Sequence, residues 1–262
     1  MQDLTDAYDN RAYIPGGDDY PPRWMAQAAA FRDAHDVREL PGFHAGTRRA
    51  VDVVSPEDSA QGTVIFVHGG YWRAFDKSVW THLAAGAVQR GWRVALPGYA
   101  LCPDVRIRDI TRQTAEAITA VAQATDGPIT LTGHSAGGHL VARMLAPGML
   151  APEVLARITR VAPISMLSDL RPLLQTAMNA DLRLDAEEAA EESPLLQSKP
   201  ATEVALWVGA EERPTFLDQT RWLSEAWRAP QHILPGRHHF DVIEPLEDAQ
   251  SGLVRFLTGH AA

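Results

Sequence analysis

Apolar, β-branched runs alternate along this chain with segments whose apolar positions recur every three to four residues. Thr63–Val67 reads Thr-Val-Ile-Phe-Val and is apolar throughout, which predicts a strand covered on both faces. Similar runs predict strands at 48–54, 93–96, 129–132, 157–164, 203–208 and 232–234. Between two of them, Ile107, Ile110, Thr114, Ala117, Ile118 and Val121 fall at helical spacing. Further helices are expected at 78–90, from Ala136 to Leu145, and along Phe216, Leu217, Leu223 and Trp227. A last one is expected through Val242, Ile243, Leu246, Leu253, Val254, Phe256 and Leu257. Strands alternating with helices give an α/β architecture, a mostly parallel central sheet with helices on both faces.

Two stretches break this rhythm. Residues 1–40 form an N-terminal arm. Its first half is polar and turn-rich, with Tyr8-Asp9-Asn10-Arg11, Pro15-Gly16-Gly17-Asp18-Asp19 and Pro21-Pro22. Its second half holds a helix over 23–32, with Trp24, Met25 and Phe31 laid on the domain. Residues 165–200 carry Asp169-Leu170-Arg171-Pro172, an acidic run over 185–192 and Ser193-Pro194. They read as a small helical lid inserted between strands and covering the mouth of a site. The acidic run reads as a solvated helix face. With no internal repeat and no low-complexity linker, one domain over 1–262 is the simplest organisation, and 262 residues suffice for its core.

Composition narrows the function. A net charge of −9 without a basic block disfavours nucleic acid and anionic membrane surfaces as partners. Cys102 is the single cysteine, so no intrachain disulfide forms and nothing asks for an oxidising compartment. The start lacks an apolar signal-peptide core, and no apolar run reaches transmembrane length. The expectation is a cytoplasmic protein acting on a small-molecule substrate, with its oligomeric state open and a homodimer one candidate.

The candidate chemistry sits at Gly133-His134-Ser135-Ala136-Gly137, a G-x-S-x-G between a predicted strand and a predicted helix. That context makes it a candidate nucleophile elbow. The turn has no room for side chains at Gly133 and Gly137, strains the serine backbone, and directs helix N–H groups at whatever Ser135 attacks. A serine hydroxyl needs a base, and the base needs an orienting group. On such a fold the acid and then the histidine follow later strands. Glu211 and Glu212 compete for the first role, and His238 and His239 for the second. His134 and His139 lie too close to Ser135 in sequence and read as packing or hydrogen-bonding residues. After the strand at Thr63–Val67 comes His68-Gly69-Gly70-Tyr71-Trp72. An H-G-G loop there supplies backbone N–H groups to an oxyanion, joined by Ala136 N–H, and His68 braces it. The aromatic loop Tyr71, Trp72, Phe75 and Trp80 holds either an aromatic leaving group or core and lid contacts. Arg73 reads as an exposed arginine, with a substrate carboxylate as the alternative partner.

These motifs, with Tyr99-Ala100-Leu101-Cys102-Pro103, Val208-Gly209, Pro214, Phe216 and His239-Phe240, resemble the α/β-hydrolases of the H-G-G esterase/lipase type. The resemblance is greatest to the kynurenine formamidase (arylformamidase) branch, whose arm is similar to Tyr8-Asp9-Asn10-Arg11. It implies Ser135 as nucleophile, His239 as general base and acid, and Glu212 as triad acid where the animal formamidases have aspartate. It places the oxyanion hole at Gly69, Gly70, Tyr71 and Ala136 and substrate contacts at Tyr71 and Trp72. It implies no cofactor and no metal. The implied reaction is hydrolysis of an aryl formamide such as N-formylkynurenine, a step of tryptophan catabolism, through an acyl-enzyme. A carboxylesterase or thioesterase is the alternative. A non-catalytic binding protein on the same fold is a third reading, disfavoured because both the serine and the histidine are present.

Overall fold

Nine strands join in one sheet among residues 3–259, which this computed structural model describes. They are β1 (Val37–Glu39), β2 (Val51–Val54), β3 (Thr63–Val67), β4 (Arg93–Pro97), β5 (Ile129–His134), β6 (Ile158–Ile164), β7 (Glu203–Val204), β8 (Leu206–Gly209) and β9 (Gln231–Leu234). Their order is β1-β2-β4-β3-β5-β6-β8-β9, with β7 beside β6. The pairs β1/β2 and β2/β4 are antiparallel and the remainder are parallel. The helices are α1 (Tyr20–Ala34), α2 (Ala85–Gln89), α3 (Ile107–Ala124), α4 (Ala136–Arg143), α5 (Pro152–Leu155), α6 (Asn179–Leu182), α7 (Ala186–Glu191), α8 (Pro214–Trp227) and α9 (Gly252–Leu257).

Period-two alternation divides the core between the two faces of the sheet. Ile65 and Val67 of β3 pack with Ile110 and Ile118 of α3, Leu140 of α4 and Leu223 of α8. Val64 and Phe66 of the same strand pack on the other face with Trp24 and Phe31 of α1, Trp80, and Leu253 of α9. Because both faces are covered, β3 and β5 are buried at every position, as the pattern at Thr63–Val67 required.

Several boundaries differ from those read in the sequence. The strand over 48–54 begins only at Val51, because residues before it turn, with Ala50 N–H donating to Thr47 O. β1 is a short, exposed edge strand whose Val-Arg-Glu carries no apolar pattern. The region 78–90 is a 3₁₀ turn, Lys77–Ala84, running into α2. The run 203–208 divides at Ala205 into β7 and β8, and the last helical region is a 3₁₀ turn, Glu244–Glu247, followed by α9. Helix α1 starts earlier than expected, with Pro21 and Pro22 in its first turn, where proline is tolerated.

The acidic run requires a correction. Glu187 and Glu191 are exposed, but Glu188 and Glu192 are buried. Glu188 pairs with Arg106 and Arg108 at the start of α3. Glu192 accepts from Arg143 of α4 at 3.3 Å and from the Thr111 hydroxyl of α3 at 2.6 Å. The buried acids therefore dock the insertion on α3 and α4. A solvated helix face cannot describe them, because burying a carboxylate requires such partners. No helix among the described residues is long and apolar enough to cross a membrane.

Candidate active site

Ser135 stands between β5 and α4 with φ 55° and ψ −116°, a conformation that non-glycine residues rarely adopt. The surroundings enforce it. Ser135 N–H donates to Ile164 O at 2.8 Å, and His139 N–H donates to Ser135 O at 3.0 Å. A Cβ on Gly137 would lie 1.9 Å from Val67 O, so β3 and α4 meet closer than any side chain permits. A cavity of about 500 Å³ opens over this turn, with Ser135, His239, Gly69 and Gly70 in its wall.

The loop after β3 shapes the adjoining wall. His68 Nδ1–H donates to Gly69 O at 2.7 Å, and the Tyr99 ring stacks on the imidazole with centroids 4.2 Å apart. Tyr99 hydroxyl donates to His68 O at 2.8 Å. Burial pushes the His68 pKa down to about 4, so it braces the loop as a neutral ring. Gly70 has φ 110°, and a Cβ there would meet Ala74 O at 2.5 Å. Both Arg73 N–H and Ala74 N–H close the turn on Gly70 O at 3.0 Å. Ala136 opens α4, so its N–H has no acceptor within the helix.

The loops after β8 and β9 meet beside the serine. Glu212 Oε2 accepts from His239 Nδ1 at 2.6 Å. Its Oε1 accepts from Gly209 N–H at 3.0 Å and from the Ser165 hydroxyl. A carboxylate is an acceptor only, so Nδ1 carries a proton, and in the neutral form of the ring Nε2 is the acceptor. The Phe216 ring, 4.3 Å between centroids, and the His134 ring, 4.7 Å, fix the imidazole from its sides. Of the pairs left open by spacing, Glu211 is exposed and engages no imidazole. The His238 ring instead bonds the Tyr20 hydroxyl through Nε2 at 3.0 Å and accepts from Phe240 N–H through Nδ1 at 3.2 Å.

Burial, reinforced by repulsion from His239, holds the His134 pKa well below its ordinary value. His139 is pushed down to about 4 by burial, and its Nε2–H donates to Glu192 O at 2.6 Å. His134 is a packing residue against His239, and His139 is a hydrogen-bonding one.

The aromatic residues Tyr8, Trp24, Tyr71, Phe75, Trp80 and Phe240 line the cavity. Trp72 does not. It has no exposed surface, packs edge-on against His139 at 5.0 Å, and belongs to the core. The expected substrate contact at Trp72 is thereby corrected. Tyr71 and Trp72 both have positive φ, 49° and 57°, and their rings meet edge-on with centroids 6.4 Å apart. Arg73 sits in the cavity wall and pairs with Asp181 of α6 at 2.5 Å. The insertion contributes Ala177 and Met178 to the wall, and the arm contributes Thr5, Tyr8, Asp9, Asn10 and Arg11. Tyr71 hydroxyl donates to Tyr8 O at 2.7 Å and Ala177 N–H to Thr5 Oγ1 at 2.8 Å, which ties arm, glycine loop and insertion together.

Residues 64–258 match the profile of the Alpha/beta hydrolase family. The chain belongs to that family. This α/β-hydrolase is similar to the kynurenine formamidase of Drosophila melanogaster, with 30% identity covering 80% of this chain and 77% of that protein. The kynurenine formamidase of Danio rerio is 28% identical over 79% of this chain and 76% of its own. Among solved structures, a candidate thioesterase from Silicibacter sp. tm1040 is 53% identical, with TM-score 0.96 over 99% of this chain and 100% of its own. An esterase/lipase from an uncultured bacterium shares the fold, at 19% identity and TM-score 0.70 over 93% and 91% of the two chains.

Two parts of the hydrolase's site escaped the sequence reading. The first is Ser165, which carries no motif and reaches Glu212 only because β6 and β8 are neighbours. The second is the extent to which the arm encloses the cavity. Its signal was the lack of any periodic pattern in a stretch rich in tyrosine and charge.

Proposed function

We propose that this hydrolase cleaves small aryl formamides, with N-formylkynurenine as the substrate, through an acyl-enzyme on Ser135. The observation that carries the reading is the contact between Glu212 Oε2 and His239 Nδ1, in a site whose wall Ser135 and His239 share. It directs the acceptor nitrogen Nε2 to the role of base. Ser135 Oγ attacks the formyl carbon while Nε2 takes its proton. The N–H groups of Gly69, Gly70, Tyr71 and Ala136 are the donors available to the oxyanion. Collapse of the tetrahedral intermediate breaks the C–N bond, and His239 returns its proton to the departing aryl amine. Water then attacks the formyl-serine ester, with His239 again taking and returning the proton, and formate leaves.

The aromatic lining of the cavity suits an aryl leaving group, and an arylamine leaves more readily than an alkylamine. Formyl is the smallest acyl group, so this reading requires an acyl side that disfavours longer chains, at about 1–3 kcal/mol per methylene. Both arginines in the wall are engaged, Arg11 with Asp18 and Arg73 with Asp181, which disfavours the polyphosphate of an acyl-CoA. Likeness to the candidate thioesterase favours a second reading, hydrolysis of small esters or thioesters. Turnover of N-formylkynurenine, p-nitrophenyl acetate, p-nitrophenyl butyrate and acetyl-CoA separates them. The formamide should give the highest kcat/KM, with esters declining as the acyl chain lengthens. Faster turnover of butyryl esters or of the thioester would overturn the substrate assignment.

A further inference from the structure

The glutamate in the acid position raises a geometric question. Its side chain is one methylene longer than that of aspartate, and its terminal torsion is broad rather than confined to sharp rotamers. One hydrogen bond from an imidazole does not fix the plane of such a carboxylate. The structure supplies two more donors, both on Oε1: Gly209 N–H at 3.0 Å and the Ser165 hydroxyl.

Ser165 follows the last residue of β6 and has no exposed surface. Its φ of 48° is unfavourable for a residue with a Cβ. Its N–H donates to Trp207 O on β8 at 2.7 Å, which anchors the turn. The serine hydroxyl is thereby brought from β6 to a carboxylate held after β8. The three donors around Glu212 come from three places in the fold, the turn after β6, the last residue of β8 and the loop after β9, so the carboxylate is held from three directions.

We infer that Ser165 is a positioning residue, whose hydroxyl fixes the Glu212 carboxylate so that Oε2 faces His239. The inference rests on the proposed roles of Glu212 and His239. A hydroxyl that only filled a buried polar site would affect stability alone. One that acts through Glu212 affects kcat, and only while the carboxylate is present.

The test measures kcat and KM with p-nitrophenyl acetate for Ser165→Ala and Ser165→Gly. The glycine variant relieves the positive φ and so separates backbone strain from loss of the hydroxyl. Both changes are then repeated on a Glu212→Gln background. Each single variant should lower kcat ten- to hundredfold with KM within twofold. On the Glu212→Gln background, each should cost less than twofold further. Unchanged kcat in the folded glycine variant would overturn the inference, as would an equal loss on both backgrounds. Full activity in Ser135→Ala would overturn the serine mechanism and this inference with it. Additivity alongside an inactive Ser135→Ala would overturn this inference alone.

Discussion

Replacing Glu212 by glutamine exchanges one oxygen for an amide nitrogen and leaves the shape of the side chain unchanged. The consequence follows from its partners. Gly209 N–H and the Ser165 hydroxyl both donate to Oε1, so the amide oxygen of glutamine is drawn there. The amide nitrogen is then left facing His239 Nδ1, where a donor replaces the acceptor at 2.6 Å. His239 must answer by accepting at Nδ1, which moves its proton to Nε2, and the nitrogen meant to receive the Ser135 proton is blocked. The reverse amide orientation sets an N–H group against Gly209 N–H and is no better. A wrong-tautomer imidazole in serine hydrolases of this kind costs about 10⁴-fold in kcat, or about 5.5 kcal/mol of activation free energy. Glu211→Gln, at an exposed residue, should stay within twofold. The assay is kcat with p-nitrophenyl acetate on both variants, with circular dichroism and thermal melts to verify the fold. Equal losses for the two variants, or a loss below tenfold for Glu212→Gln, would refute the reasoning.

Other expectations concern stability. Trp72→Ala should destabilise by about 3–5 kcal/mol in urea unfolding, because Trp72 is core; unchanged stability with a raised KM would return it to the cavity. Glu192→Ala leaves the buried Arg143 guanidinium without its carboxylate and should cost about 3–5 kcal/mol; a loss below about 1 kcal/mol would contradict that pairing. His68 and His139 are held neutral by burial, with pKa values of about 4 against 6.5 when exposed. Between those values the unfolded chain binds protons that the native state does not. Their contribution to stability is therefore complete above pH 6.5 and falls as the pH drops toward 4, by up to about 1.4 kcal/mol per pH unit for each histidine. Urea midpoints should decline over that window and decline less in His139→Gln; identical slopes would refute the assignment.

Strands β3 and β5, which carry the glycine loop and the elbow, were legible because both their faces are buried: Thr63–Val67 was bounded correctly, and the elbow at Ser135 lies where its glycines placed it. Elements set by the environment were harder to read. β1 is an edge with nothing to bury in a regular pattern, and Lys77–Ala84 takes a 3₁₀ form that helical spacing does not distinguish from an α-helix. Glu188 and Glu192 looked like solvent-facing acids because their arginine partners lie 80 and 49 residues away in sequence. The choice of Glu212 over Glu211 came from resemblance. Spacing could not supply it, because adjacent loop residues point apart only once the chain has folded. Trp72 was misplaced for a related reason: only the folded chain brings His139 and the core against this loop tryptophan.

Covalent labelling is the most direct test of the proposed mechanism. The protein is incubated with a fluorophosphonate, digested, and its peptides are mapped by mass spectrometry, alongside Ser135→Ala and His239→Ala. The expected result is one adduct per chain on Ser135, absent from Ser135→Ala, slowed at least a thousandfold in His239→Ala, and matched in time by loss of hydrolysis. An adduct on another serine, or hydrolysis that survives complete modification of Ser135, would contradict the mechanism.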